Sequence, residues 1–240
     1  MAGHSKWANI KHKKARSDAK KGKEFSRVTK EIISAVKQGG PDQDSNAKLR
    51  LAVQKARAAN LPKENIERNI KKATSADQAD YTEITYELYG HGGVGIIVDV
   101  MTDNKNRSNS DLRIATNKCG GNLATPGAVS FNFDRKGVIQ ILKENVNEDK
   151  LFLAASEAGA EDFDPADELF MVITEPSDLY SVKEALEGQG YKCEGANLEM
   201  LPKIWVECDE QTFQANMKLL DWLEDLDDVD AVFHNAEPKE

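Results

Sequence analysis

The stretch TSADQADYTEITYELYGHGGVGIIVDVM, residues 74–101, decides the fold because the spacing of its apolar residues changes within it. Residues 74–80 are polar and predict a linker. From Tyr81 to Tyr89 apolar and polar residues alternate, which is typical of a half-buried strand. Ile96 to Met101 is nearly all aliphatic, which predicts a central strand. The chain therefore divides near residue 80 into two regions with different secondary structure.

On the N-terminal side of this stretch, the apolar spacing is that of helices. The segment from Asp18 to Lys37 predicts one amphipathic helix, which ends at the Gly39-Gly40-Pro41 sequence. A second helix is expected to begin at the N-cap Asn46, and a third to have Pro62 in its first turn. Three short helices with apolar stripes predict a small bundle. The first 17 residues have no clear period and predict a flexible arm.

On the C-terminal side, the order of the predicted elements indicates two α/β domains. Residues 135–202 have the order β-α-β-β-α-β of a ferredoxin-like domain. The flanking segments, ββαβ before and βαβ after, can together form a second sheet of similar type. We therefore predict an α+β protein with a basic helical domain (1–80), an α/β domain (81–134 with 203–240) and an inserted ferredoxin-like domain (135–202). One long sheet packed in sequence order is the alternative.

Three local features within these domains are also predicted. Ser108 is expected to cap a helix that ends at Cys119. Ala128 to Phe133 alternates between apolar and polar residues and predicts a strand, and Lys203 to Cys208 predicts another.

Charge divides the chain in the same way. The first 72 residues carry 19 Lys and Arg against 7 Asp and Glu, whereas the remaining 168 carry 13 against 34. A concentrated positive region attracts polyanions, so nucleic acid is the expected partner. No apolar run approaches the roughly 18 residues of a membrane span, so we expect no membrane partner. Three cysteines without CxxC spacing favour a reducing compartment, and the predicted location is cytoplasmic.

The chemical motifs do not predict an enzyme. Gly90 to Gly95 matches GxGxxG, but a dinucleotide site requires that loop to open a helix, and here it precedes a strand. A contact between its amides and a phosphate of a large partner is the alternative. The acidic residues 161–168 predict a solvated turn, or else a weak Mg²⁺ site or a face for a basic partner. The histidines lack ligand spacing and no nucleophile–base arrangement is present, so we expect no catalytic residue, metal or cofactor.

Candidate nucleic-acid-binding residues lie in the arm, on the first helix and in a later loop. In the arm, cations surround Trp7, which suits both base stacking and phosphate contact; a solubilising tail with Trp7 packed on the bundle is the alternative. In the first helix, the stripe opposite the apolar one is basic. Arg107 can contact phosphate, although its segment, residues 103–109, would equally serve as a polar loop and N-cap. The predicted set is Lys6, Trp7, Lys11, His12, Lys13, Lys14, Arg16, Lys20, Lys21, Lys23, Arg27, Lys30, Lys37 and Arg107.

Several motifs resemble the YebC/PmpR family. They are GHSKW (3–7), NIKHKK (9–14), GKEF (22–25), LPKENIERNIKKA (61–73), YELYGHGGVG (86–95), TDNKNR (102–107) and WLEDLDDVDAVFHN (222–235). The resemblance covers essentially the whole chain and implies a three-helix N-terminal domain followed by two α/β domains, one interrupting the other. Two positions depart from the family pattern: His91 stands where many members have proline, and PDQDSN (41–46) replaces PDPxxN.

The resemblance implies a regulator that binds nucleic acid. Members of the family are widely named as probable DNA-binding transcriptional regulators, and this is the leading function predicted here. Members have also been implicated in translation at stalled ribosomes, so a ribosome-associated factor that contacts rRNA or tRNA is the alternative. A protein-interaction module, in which the acidic domains bind a partner protein, is the second alternative.

Overall fold

The computed structural model describes residues 21–75, 80–166 and 168–239, and its N-terminal part is a three-helix bundle. The helices are α1 (Lys21–Gly39), α2 (Ala47–Ala58) and α3 (Lys63–Ala73). Val28, Ile32 and Val36 form the predicted apolar stripe of α1 and are buried in the core that the three helices share. Asn46 caps α2, as predicted, because its side-chain oxygen accepts a hydrogen bond from the amide of Leu49 at 3.0 Å.

The bundle is followed by pairs of strands that are separated by single helices. In chain order they are β1 (Thr82–Tyr89), β2 (Gly95–Thr102), α4 (Lys105–Cys119), β3 (Asn122–Leu123), β4 (Phe133–Leu142), α5 (Glu148–Ala158), β5 (Asp162–Pro165), β6 (Leu169–Thr174), α6 (Leu179–Gly188), β7 (Cys193–Pro202), β8 (Val206–Cys208), α7 (Glu210–Asp225), β9 (Val229–His234) and β10 (Ala236–Pro238). Short 3₁₀ helices cover His91–Gly93 and Ser130–Asn132.

The first sheet is completed by two distant parts of the chain. Its antiparallel order is β3-β1-β2-β9, so β2, predicted to be central, lies between β1 and β9. The helices α4 and α7 contribute Leu112 and Leu220 to the core that also buries Val98 of β2. The chain leaves this sheet after β3 and returns to it at β9, and β8 and β10 form a separate parallel pair.

The segment between β3 and β8 forms its own sheet. Its order is β5-β6-β4-β7, all antiparallel, and α5 and α6 share a core with it. This is the ferredoxin-like arrangement predicted for residues 135–202. The protein is therefore an α+β protein in which the third domain is inserted into the second. Its described strands form three separate sheets and not the one long sheet of the alternative.

The three local predictions need correction. Ala128 to Phe133 is not a strand: a turn and a 3₁₀ helix precede β4, which begins at Phe133. Ser108 is not the cap of α4, because Asn104 fills that position and Ser108 is buried one turn inside the helix. The strand predicted from Lys203 begins only at Val206.

Candidate nucleic-acid interface

The predicted binding residues divide into two groups according to what the structure describes. Lys6, Trp7, Lys11, His12, Lys13, Lys14, Arg16 and Lys20 lie outside the described residues, and their role stays a prediction. Lys21 and Lys23 lie at the start of α1, but the structure does not describe their side chains. The side chains that can be placed are those of Arg27, Lys30, Lys37 and Arg107.

The cations of α1 make hydrogen bonds inside the protein. Lys30 is only 14% exposed, and its Nζ donates to the main-chain oxygen of Asp227 at 2.8 Å and to the carboxylate of Asp228 at 3.2 Å. The Nε of Arg27 donates to the main-chain oxygen of Val229 at 3.1 Å. Lys37 pairs with Asp80. The part of α1 that carries Arg27 and Lys30 therefore lies against the second domain.

Arg107 binds the same buried carboxylate as Lys30. Its Nε and Nη2 reach Oδ2 of Asp228 at 3.0 and 2.8 Å, and Nη2 also lies 2.9 Å from Oδ1. A further hydrogen bond joins Nη2 to Asp103 at 2.8 Å. The hydroxyls of Ser108 and Thr102 donate to Oδ2 of Asp228 at 2.8 and 3.0 Å. Ser108, predicted as a helix cap, instead completes this network.

These donors control the ionisation of Asp228, which is 7% exposed. Burial by itself raises the pKa of its carboxyl group. The hydrogen bonds from Arg107, Ser108 and Thr102 and the charge of Lys30 lower it, and the net result is a pKa below the ordinary value. Asp228 is therefore a stable anion that holds cations from two domains.

The structure therefore places Arg27 and Lys30 of the predicted basic stripe against the second domain, and their role in nucleic-acid binding stays a prediction. Helical periodicity correctly places these residues opposite the apolar stripe. It does not distinguish a face in contact with water from a face in contact with another domain that carries a carboxylate. Arg107 is 47% exposed, yet its guanidinium is bonded to Asp103 and Asp228.

Other exposed cations of the bundle were missing from the predicted set. Arg57 near the end of α2 and Lys71 and Lys72 in the last turn of α3 are exposed, and no side-chain partner is found for them among the described residues. Arg68, one turn before Lys71, is also exposed and donates to the side chain of Asn65 at 2.8 Å. The sequence signal was available: basic residues at 68, 71 and 72 have the i, i+3, i+4 spacing of one helix face.

The glycine-rich loop joins β1 to β2, as predicted, and is held from inside the domain. The side chain of Asn216 accepts from the amide of His91 at 2.8 Å and donates to the carbonyl of His91 at 3.1 Å. The amides of Gly90 and Val94 bond to carbonyls within the loop, and that of Gly95 bonds to Asn235. Most of the loop amides are already used, which weakens the case for a phosphate contact there.

Comparison with known proteins agrees with this architecture. The model described as "TACO1/YebC protein N-terminal domain" matches residues 5–76, and the one described as "TACO1/YebC second and third domain" matches residues 81–236. The chain belongs to the TACO1/YebC family. The resemblance found in its motifs is thus confirmed, and the family's second-and-third-domain match includes both four-stranded sheets described above.

The TACO1/YebC relatives extend over nearly the full chain. A "probable transcriptional regulatory protein" of Protochlamydia amoebophila is 67% identical over 235 residues, covering 98% of this chain and 96% of the relative. One from Chlamydia pneumoniae, named in the same way, is 60% identical over 236 residues, covering 98% of this chain and 99% of the relative. The crystal structure of a conserved hypothetical protein from Aquifex aeolicus superposes with a TM-score of 0.86 at 43% identity, covering 94% of each chain.

Residues 21–75, 80–166 and 168–239 of this TACO1/YebC chain contain no group of three or more His, Cys, Asp or Glu side chains placed to hold a metal ion. None of its helices combines the length and apolar character needed to cross a bilayer.

Proposed function

We propose that this protein is a regulator that binds the phosphate backbone of a nucleic acid through its N-terminal region and acts in the cytoplasm without catalysing a reaction. The observation that carries the proposal is the division of charge, with 19 Lys and Arg against 7 Asp and Glu in the first 72 residues. The acidic remainder of the chain repels the same polyanion and so directs it to the bundle.

The exposed cations of the bundle support this location. Arg57, Lys71 and Lys72 project from α2 and α3, where they can contact phosphate without breaking any bond to the described residues. The arm, residues 1–20, would add further contacts through its own lysines.

Two variants with equal loss of charge test the location. Lys71→Gln/Lys72→Gln removes two cations from the bundle, and Lys150→Gln/Lys218→Gln removes two exposed lysines from the acidic domains. On duplex DNA log K falls as log salt rises, and each lost phosphate contact makes this slope shallower by about 1. We therefore expect the slope of the bundle variant to be shallower than that of the wild type by about 2. The control variant should leave the slope unchanged. Equal slopes in wild type and both variants would contradict the proposal.

The class of nucleic acid needs a separate measurement. The relatives' names favour DNA and transcription, whereas a ribosome-associated role favours rRNA or tRNA. Crosslinking in cells, followed by sequencing of the recovered DNA and RNA, distinguishes them. Promoter DNA would support a transcriptional regulator, and ribosomal RNA with tRNA would support a translation factor.

A protein-interaction role for the acidic domains has one observation in its favour. Phe131 and Ile204 are 65% and 63% exposed, and the chain segments that carry them are joined by a hydrogen bond from the amide of Lys203 to the carbonyl of Asn132 at 2.8 Å. Deleting residues 1–22 tests this alternative. Unchanged nucleic-acid affinity after the deletion is combined with Arg57→Gln, Lys71→Gln and Lys72→Gln would favour it over binding through the N-terminal region.

A further inference from the structure

Asp228 links the bundle to the second domain. Its carboxylate accepts hydrogen bonds from Lys30 on α1 and from Arg107, Ser108 and Thr102 in the second domain. The same donor groups, namely the guanidinium of Arg107, the ammonium of Lys30 and two hydroxyls, can also bind phosphate oxygens. The carboxylate therefore occupies an anion site that the rest of the molecule provides.

The contact that depends on Asp228 is polar. The apolar cores of the bundle and of the second domain are separate clusters. Tyr81, just before β1, packs against the bundle core, and the Nζ of Lys30 lies 5.8 Å from the centre of its ring. Domains joined without a large apolar interface are expected to move relative to each other. The position of α1 on the second domain thus depends strongly on the hydrogen bonds of Arg27 and Lys30.

Other charges at the same junction oppose the contact. Burial raises the pKa of Glu31 on α1, Lys55 lowers it, and the negative charges of Asp230 and Glu83 in the second domain raise it further, with a net increase. Glu31 is paired with Lys55 of the bundle at 3.1 Å, and the negative charges of Asp230 and Glu83 act on it from the second domain. Attractive and repulsive charge interactions therefore act together at this junction, which suits a contact from which the bundle can separate.

We propose that Asp228 is an internal competitor of nucleic-acid phosphate. Its carboxylate occupies Lys30 and Arg107, and the docking of α1 that it supports also keeps Arg27 from the ligand. When the bundle separates, Lys30 and Arg27 lose their partners in the second domain and phosphodiester groups replace those partners. Arg107 stays beside Asp228 and becomes available where phosphate displaces the carboxylate. The proposal rests on the proposed function, since it concerns binding of the same class of ligand. It assigns to Asp228 an autoinhibitory contact that lowers affinity in the closed arrangement.

The substitution Asp228→Asn removes the charge of the competitor with little change in size. The matched control is Asp227→Asn, because Asp227 is the adjacent residue, its side chain is exposed, and the substitution keeps the main-chain oxygen that Lys30 contacts. Small-angle X-ray scattering without nucleic acid reports domain separation. Titration of one DNA duplex and one RNA single strand over a range of salt reports affinity.

For Asp228→Asn we expect a larger radius of gyration and a steeper salt slope on the duplex, by up to about 3 for three released cations. Affinity should rise roughly tenfold if open molecules increase from about a tenth of the population to nearly all. Asp227→Asn should match the wild type. If Asp228→Asn does not fold, Lys30→Gln still breaks the contact between domains and should increase the radius of gyration.

The outcomes separate the two proposals. If the wild type binds nucleic acid and folded Asp228→Asn binds it equally or more weakly, the role of Asp228 is overturned and the proposed function stands. An unchanged radius of gyration in both Asp228→Asn and Lys30→Gln would also overturn it. Failure of the wild type to bind either nucleic acid would instead overturn the proposed function.

Discussion

Replacing Glu87 with glutamine should destabilise the second domain, because this carboxylate organises the loop that leads into the third domain. Glu87 lies on β1 and is buried. Its Oε1 accepts from the amide of Gly127 at 2.7 Å, and its Oε2 accepts from the amides of Val129 and Ser130 at 2.6 and 2.9 Å. One side chain thus satisfies three main-chain donors of a turn.

The size of the effect follows from these three bonds. In Glu87→Gln the amide oxygen can keep the two bonds to Val129 and Ser130, but its NH₂ group then faces the amide of Gly127. A donor left without an acceptor costs about 1–3 kcal/mol. The two remaining bonds also lose their ionic character, and a hydrogen bond to a charged acceptor is roughly twice as strong as a neutral one. We expect a total loss of about 2–4 kcal/mol in the free energy of unfolding.

Urea unfolding followed by tryptophan fluorescence measures this loss, since Trp205 and Trp222 both lie in the second domain. The control is Glu83→Gln, which removes an exposed carboxylate from the same strand and should change stability by less than about 0.5 kcal/mol. Equal urea midpoints for Glu87→Gln and wild type at pH 7 would refute the reasoning.

The difference in the free energy of unfolding between wild type and Glu87→Gln should also depend on pH. Burial raises the pKa of Glu87, but the hydrogen bonds from Gly127, Val129 and Ser130 outweigh it, and the folded-state pKa lies below the ordinary value. A carboxyl group with a lowered folded-state pKa contributes stability that is fully present above its unfolded pKa of about 4.3 and is lost as pH falls through the folded value. The difference between wild type and Glu87→Gln should therefore be full at pH 7 and shrink below about pH 4.

Three further predictions concern packing and reactivity. In Gly90→Ala the new Cβ would lie 2.3 Å from the Oδ1 of Asn216, so we expect a loss of about 1–3 kcal/mol in stability, measured by thermal unfolding. Leu112→Ala empties a fully buried position of α4 and should cost about 2–5 kcal/mol in the same assay. Burial raises the pKa of the Cys193 thiol to about 11, so iodoacetamide should modify it slowly in the native protein at pH 8 and rapidly in urea, as followed by mass spectrometry.

The elements whose form depends on local periodicity were predictable from the sequence. The strand β2 is central, as its aliphatic composition indicates, and α2 begins after its predicted cap Asn46. In these segments the core contacts follow from the segment's own pattern of apolar residues. The order of such elements was sufficient to predict the insertion of one domain into another.

The segment Ala128–Phe133 shows where periodicity fails. Its alternation is that of a strand, yet Glu87 binds the amides of Val129 and Ser130, which lie 42 and 43 positions further along the chain. Amides bonded to a side chain are not available to a neighbouring strand, so β4 begins only at Phe133. No property of residues 128–133 by themselves reveals that a distant carboxylate binds them.

The candidate interface also depends on a contact between residues that are far apart in the sequence. Asp228 is 198 positions from Lys30 and belongs to an acidic run in which Glu224, Asp225, Asp227 and Asp230 look equivalent in sequence. Only the fold selects Asp228, since within this run it alone is buried. The charge excess of the N-terminal region therefore overstates how many of its cations can meet a ligand while the bundle is docked. The exposed cations of α2 and α3 then become its best-supported contact surface among the described residues.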